Sequence, residues 1–219
     1  MVAPADVSQL VAVLESHAIA LTDAQVAQLA DYAHRLWDWN TKINLTRHTD
    51  YERFVTRDVV DTLELSKVLA PEERVLDVGT GGGVPGVLLA ILRPDLHVRL
   101  AESMGKKARV VEDIVRGMQL EVPVHAGRAE ELLADEYYDS LVMRAVAPLE
   151  KLLGWFEPHW GAFGRMLVIK GPAWVEERHA AREAGRMRGL QLRKLATWPL
   201  PGTESESVLL EVRPKDDAA

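Results

Sequence analysis

Residues 75–86 read VLDVGTGGGVPG, an apolar run that carries Asp77 and then breaks into glycines at 79, 81, 82 and 83. The pattern predicts a buried strand turning sharply into a helix. Such a turn points backbone N–H groups and the positive helix end at the carboxyl edge of a sheet, where nucleotide-like ligands bind. Glycine there can take positive φ and leaves no Cβ in a ligand's path. A second acid, Glu102, closes the next apolar run, HVRLAE. A carboxylate at that strand end can accept both hydroxyls of an adenosine ribose.

Two registers of the glycines compete. Gly81-x-Gly83-x-x-Gly86 follows the dinucleotide pattern but puts Pro85 inside the turn, whereas Gly79-x-Gly81-x-Gly83 after Asp77 follows the first motif of enzymes that use S-adenosylmethionine. Asp77 separates them: a carboxylate just before the first glycine attracts a cationic cofactor and repels a pyrophosphate. The residues therefore favour S-adenosylmethionine, with a nicotinamide dinucleotide as the alternative. Taken singly, the glycines also suit a tight turn, and Glu102 a solvated strand end. Ala129 and Glu130, in GRAEEL, can border the adenine; equally, Glu130 and Glu131 suit the start of any helix.

These groups need a scaffold to position them. From Arg74 onward RVLDV, HVRLA, VPVHA, DSLVMRA and RMLVIKG read as parallel strands separated by helices. The stretch 106–118 illustrates one crossover, with Val111, Ile114, Val115 and Met118 on one face and Lys106, Lys107, Arg109 and Arg116 largely off it. After a helix in AWVEERHAAREAGRMRG, LQLRKLATW and SVLLEVR predict an antiparallel pair closing the sheet edge. Arg178, Arg182, Arg186 and Arg188 alternate with acids there, as on a solvated helix face. RPKDDAA reads as a short frayed tail. Before the strands come helices. Thr22 and Gln25 form a capping box for a helix over 22–39, and Val26, Leu29, Ala33, Leu36 and Trp37 recur at helical spacing. Asp50 caps another helix through about Leu69, on whose surface Arg57 and Asp61 are spaced to pair. The expected organisation is a helical cap over 1–70 and an α/β domain over 71–215.

Composition narrows the chemistry. The chain has 219 residues, a formal net charge of −7 and no cysteine. That charge argues against nonspecific coating of nucleic acid, which depends on many Lys and Arg contacts to phosphate. Without cysteine there is no disulfide, thiolate metal site or cysteine nucleophile, and no metal site is expected. No apolar run is long enough to span a bilayer, and no leader-like segment opens the chain, so a cytoplasmic location without membrane contact is expected.

Together LWDWNTKINLT, RDVVDTL, LDVGTGGGVPGVLLAI, ESMGKKARVV, GRAEEL, MRAVAPL and IKG resemble the bacterial small-subunit ribosomal RNA N7-guanine methyltransferases, also called glucose-inhibited division protein B. The resemblance runs from about Leu36 to Gly171. It implies a class I S-adenosylmethionine-dependent methyltransferase fold: α/β, Rossmann-like, a mostly parallel seven-stranded sheet with an antiparallel edge strand, and an N-terminal helical extension. It implies methyl transfer from S-adenosylmethionine to N7 of a guanine in 16S ribosomal RNA near the decoding site; separately, a ribosomal subunit or assembly intermediate is the expected partner and a monomer the expected state. Cofactor positions carry over to Asp77, Gly79, Gly81, Val84, Glu102, Ala129, Glu130 and Arg144. Catalytic or RNA-facing basic positions carry over to Arg144, Arg128, Lys170 and Arg57, with Asn44 and Thr46 in the helical cap; Lys106 and Lys107 are expected as further RNA contacts. The chain departs from the family at Asp58, where histidine is usual, at Thr62, where serine is usual, and at Val84, where phenylalanine is usual.

The chemistry agrees with the residues. Guanine N7 has an in-plane lone pair and no proton, so positioning suffices. A cytosine C5 transfer would need a cysteine adduct, which this chain cannot form. An arginine gripping guanine O6 and N7 together would block the reacting lone pair, so a substrate arginine should take O6 alone, or phosphate. Arg144, ending DSLVMRA, and Arg128, before AEEL, are the candidates, their alternative being ion pairs with Glu102, Glu130 or Asp77; Lys170 is expected to meet phosphate. In the cap, Arg35, Lys42, Arg47, Arg53 and Arg57 interleave with Trp37, Trp39 and Tyr51, a composition suited to single-stranded RNA, although Trp37 is expected in the core. The rival readings are methyl transfer to another RNA or a small molecule, an NAD-dependent oxidoreductase, and a noncatalytic RNA-binding protein.

Overall fold

A capping box at Thr22 opens the best-defined cap helix: the Thr22 side chain accepts from the Gln25 backbone, and the Gln25 side chain accepts from Thr22 N–H. The fold is that of a computed structural model, which describes residues 4–201 and 204–215; the last four residues of the expected tail lie outside the described residues. The helices are α1 (Pro4–Ser16), α2 (Asp23–Asn40), α3 (Tyr51–Arg53), α4 (Val60–Ser66), α5 (Gly86–Leu92), α6 (Gly105–Gly117), α7 (Ala129–Leu132), α8 (Leu149–Phe156) and α9 (Trp174–Glu183). The strands are β1 (Arg74–Val78), β2 (His97–Ala101), β3 (Val124–His125), β4 (Tyr138–Arg144), β5 (Phe163–Lys170), β6 (Leu190–Pro199) and β7 (Glu206–Pro214).

The sheet order is β3-β2-β1-β4-β5-β7-β6. Strands β1 to β5 run parallel, and β7 runs antiparallel between β5 and the outermost β6. The chain builds outward from β1 to β3 and then returns to β4, so the order reverses between β1 and β4. A crevice opens at such a reversal, above the carboxyl ends of the strands. Four of the five runs read as parallel strands are largely buried, with all of β1 after Arg74 inside, whereas VPVHA forms a strand only over Val124–His125 and is half-exposed.

The cap is not a separate core. Leu29, Ala33 and Leu36 of α2, Phe54 and Val59 share one apolar cluster with Val87 and Leu88 of α5 and Val111 and Ile114 of α6. Trp37 packs against Tyr51 and Phe54, at ring-centroid distances of 5.0 and 6.3 Å. Trp39 instead donates its indole N–H to Asp113 at 3.1 Å, while the Lys42 ammonium stands 4.9 Å from its ring.

One expectation about the cap fails. Asp50 caps α3 as predicted, its carboxylate accepting from Arg53 N–H at 2.8 Å, but between α3 and α4 the chain winds as a π-helix over Phe54–Val59. That wider turn shifts the helical phase. Arg57 faces outward while Asp61 turns inward at 4% exposure, and the surface pair suggested by their spacing is not formed.

Candidate active site

The glycine turn is organised by Asp77. Its Oδ2 accepts from Thr80 Oγ1 at 2.5 Å and from Gly86 N–H at 2.8 Å, which ties the end of β1 to the start of α5. Positive φ at Gly79 (66°), Gly81 (60°) and Gly83 (110°) supports the register that begins at Gly79. Gly86, from the other register, also matters: a Cβ there would collide with Leu100 and Asp77, so α5 approaches the sheet only because this residue is glycine. Val84 is buried in the apolar core. Burial pushes the Asp77 carboxyl up to about 6, although hydrogen bonds from Thr80 and Gly86 and the charge of Arg144 oppose the rise. Its Oδ1 is buried without a hydrogen-bond partner.

Glu102 comes to the same turn. Its Oε2 accepts from Gly81 N–H at 2.9 Å and its Oε1 from Met104 N–H at 2.8 Å. A Cβ added at Gly81 would meet only the Gly79 carbonyl, 3.9 Å away. Open space over the turn, an orphaned carboxylate oxygen beneath it and a second carboxylate at its rim together fit a cationic nucleoside cofactor.

The cap presses on this turn from the other side. Tyr32, buried in α2, donates its hydroxyl to the Gly82 carbonyl at 3.0 Å, and Leu36 Cδ1 lies 2.9 Å from where a Gly82 Cβ would stand. Beyond α2, Asn40 Oδ1 accepts from the Leu45 and Thr46 backbones at 2.7 and 2.9 Å. This shapes the loop that carries Asn44, Thr46 and His48.

Arg144 ends β4 beside the turn, and the following loop touches it, with Val146 3.1 Å from a Cβ built on Gly79. Its ion-pair partners are none of the three acids considered from the sequence. Nη1 donates to Asp58 Oδ1 at 2.7 Å and to Asp61 Oδ2 at 3.3 Å, with the Arg57 carbonyl at 3.5 Å. Nη2 and Nε have no hydrogen-bond partner among the described residues. Asp58 Oδ2 lies 3.0 Å from His48 Nε2, and Asp61 Oδ1 accepts from Trp198 Nε1 of β6 at 2.9 Å. Burial opposes ionisation of both acids. The Arg144 guanidinium and His48 still hold the Asp58 carboxyl below its ordinary value, whereas in Asp61 burial prevails and the carboxyl is pushed up.

Two other basic candidates are already engaged. Arg128 pairs with Glu130 at 2.6 Å, as its alternative reading had it, and its guanidinium lies 6.0 Å from the Trp155 ring. Lys170 corrects an expectation: it is 8% exposed, bonded to the Ala147 carbonyl at 2.5 Å and paired with Glu177 at 2.7 Å. Glu177 also accepts from Leu149 N–H at 2.8 Å. The lysine thus pins the loop between β4 and α8 instead of facing a phosphate. Ala129 is buried at the start of α7. Arg57, Asn44 and Lys106 are exposed, and Thr46 and Lys107 half-exposed; the Arg57, Lys106 and Lys107 side chains have no ion pair among the described residues.

Tyr32, His48, Asp61 and Trp198 escaped the sequence reading as site residues. Tyr32 carried a faint signal, a polar tip on the apolar face of α2; the others meet only through tertiary contacts. At the opposite, amino-terminal edge lies a cleft of about 470 Å³ whose lining includes Glu73, Arg165 and Glu211. Arg165 donates Nε to Ser140 at 2.8 Å, Nη1 to Glu211 at 3.3 Å, and Nη2 to the Val68 carbonyl at 2.8 Å and to Glu73 at 3.1 Å, leaving it no free nitrogen for a ligand.

Residues 25–199 match the family model described as rRNA small subunit methyltransferase G. The chain is 48% identical to ribosomal RNA small subunit methyltransferase G of Rhodopirellula baltica over 94% of its own length and 89% of that protein's. Against the protein of that name from Erwinia tasmaniensis it is 34% identical over 94% and 98% of the two chains. Solved structures share the fold. A methyltransferase from Pyrococcus furiosus superposes with a TM-score of 0.57 at 12% identity, over 85% of this chain and 98% of that one. TrmK of M. capricolum in complex with S-adenosyl-homocysteine gives 0.56 at 10% identity, over 73% and 71%. On the family model and these relatives, the chain belongs to the rRNA small subunit methyltransferase G family.

Proposed function

We propose that this protein methylates N7 of a guanine in small-subunit ribosomal RNA near the decoding site, with S-adenosylmethionine as donor. When bound, that cofactor supplies an electrophilic methyl group on a sulfonium. The observation that carries the substrate side is Arg144: a strand-end guanidinium beside the cofactor turn, anchored through one nitrogen and uncommitted through two. N7 needs no base to free its lone pair, so the protein's work is alignment, on the order of 7–11 kcal/mol for well-oriented reactants.

In this reading Glu102 takes the ribose hydroxyls, since a carboxylate accepting two N–H bonds still has lone pairs for two more donors. Asp77, in its charged form, faces the cationic part of the cofactor. Gly79, Gly81 and Val84 shape the turn, and Ala129 and Glu130 border the adenine. Arg144 holds guanine O6 or a flanking phosphate and leaves N7 open. Lys170 keeps the loop after β4 in place for that grip. Arg128, Arg57, Asn44, Thr46, Lys106 and Lys107 face the RNA. The two lysines occupy the first turn of α6, where the helix's own positive end disfavours cations, an arrangement that suits an external anion. The cap over 1–70 serves the RNA and the domain over 71–215 the cofactor. Among the described residues no helix is long and apolar enough to cross a membrane; a cytoplasmic monomer acting on a subunit or its assembly intermediate completes the proposal.

Two measurements test it. Calorimetry should register S-adenosylmethionine and S-adenosylhomocysteine, and not NAD. Tritiated methyl should pass to small subunits lacking the modification and be recovered as 7-methylguanine. Label in another nucleoside, or none, refutes the assignment of N7.

A further inference from the structure

Asp58 stands where the resembling family usually has histidine, yet an imidazole still reaches this spot. It arrives from His48, on the loop after α2, whose Nε2 lies 3.0 Å from Asp58 Oδ2. The other oxygen, Oδ1, accepts from Arg144 Nη1 at 2.7 Å. Both side chains are enclosed, at 15% exposure for His48 and 2% for Asp58. A contact of that length between imidazole and carboxylate requires an N–H on Nε2.

The division of the two oxygens matters, because an arginine and a carboxylate left to themselves favour a two-pronged pair through two nitrogens and two oxygens. Here that pair is not formed: the Arg144 contacts all pass through Nη1. Each carboxylate oxygen can accept twice, so His48 does not saturate Oδ2; it holds that oxygen toward the loop after α2 and leaves Oδ1 as the one that meets the guanidinium. Asp61 is held in the same way, with Oδ1 toward Trp198 and Oδ2 toward Arg144 Nη1. The other charged or titratable groups near the pair are Tyr32 of α2, Asp77 of β1 and Arg57. Among the described residues none of these forms a side-chain bond to Asp58 that could replace the imidazole.

We propose that His48 is a positioning residue for methyl transfer: by holding Asp58 Oδ2 toward its own loop it keeps Arg144 singly anchored, so that Nη2 and Nε remain free for the substrate. The same contact ties the loop bearing Asn44 and Thr46 to the arginine, and seating of RNA on that loop then bears on the guanidinium directly. This inference rests on the reading that Arg144 meets the substrate.

The test compares two variants of similar size that differ in the N–H. His48→Gln retains a donor for Oδ2 and is expected to keep kcat within about twofold. His48→Met fills the space without one, and its kcat should fall at least fivefold, with S-adenosylmethionine affinity and Tm held. A merely structural histidine would lower Tm in both. A crystal structure of His48→Met should show Arg144 and Asp58 closed into the two-pronged pair, with both nitrogen–oxygen distances near 3 Å. A normal kcat in His48→Met, equal loss in both variants, or a singly anchored Arg144 in that crystal overturns the proposal. Arg144→Lys separates the layers: if it too is fully active, the substrate role of Arg144 fails; if it is slow while His48→Met is not, only this inference fails.

Discussion

Arg144 and Arg165 sit on neighbouring strands at opposite edges of the sheet, each between two buried carboxylates. Arg165 commits all three of its nitrogens. Nε, Nη1 and Nη2 all donate, to Ser140, Glu211, Glu73 and the Val68 carbonyl, and its cluster clamps the amino-terminal ends of β4 and β5 to the end of the cap. Arg144 gives only Nη1 to Asp58 and Asp61. Both arginines lie between two acids and also donate to one backbone carbonyl, and they differ in how many donors the fold uses. A structural arginine exhausts its hydrogen bonds within the chain, while one built for a ligand is anchored by a minority of them and leaves an open edge.

Lysine substitution sharpens that contrast, because an ammonium can replace one anchoring nitrogen but not a planar fork. Arg165→Lys should cost about 2 kcal/mol in urea unfolding, roughly the worth of the hydrogen bonds it cannot remake, with methyl transfer unchanged below the transition. Arg144→Lys should cost less than about 1 kcal/mol in the same assay but slow transfer at least tenfold, about 1.4 kcal/mol of barrier. Equal behaviour of the two variants would erase the distinction between them.

Asp77 extends the comparison to a buried carboxylate with no arginine of its own. Burial raises it from 3.8 to about 6, so between those values the folded chain keeps a proton that the unfolded chain has released. Its contribution therefore favours the fold at low pH and is lost as pH climbs through that window. A cationic cofactor selects the charged form, and S-adenosylmethionine affinity should rise several-fold as pH passes about 6. Titration calorimetry of Asp77→Asn, which keeps an acceptor for Thr80 and Gly86, should show that slope flattened. The smallest effect is expected at Tyr32: Tyr32→Phe removes the bond to the Gly82 carbonyl and should cost about 1 kcal/mol of stability, read by thermal denaturation.

Much of this was legible in the sequence, for stateable reasons. The central strands β1, β4 and β5 are largely buried, so their apolar runs announce them, and the glycine turn and Glu102 are local signals that meet where strand order requires. Thr22 and Asp50 cap their helices as local chemistry demands. The cluster at Arg144 was not legible, because Asp58, Asp61, His48 and Trp198 converge from separate parts of the chain, and because the π-helix over Phe54–Val59 breaks the periodicity by which Asp61 was assigned to the surface. Lys170 misled for a similar reason: a lysine at a strand end reads as exposed until Glu177 folds over it from α9.

Leu36 on Gly82, and Tyr32 on the carbonyl of that glycine, make the cofactor turn a reporter of its neighbour. The Gly83 amide donates to the Thr80 carbonyl inside the turn, and with α2 covering it, its exchange with deuterium should quicken when the first helices lift. Exchange at Gly82 and Gly83, compared with exchange within β5, would show whether those helices lift off by themselves or melt in one step with the sheet.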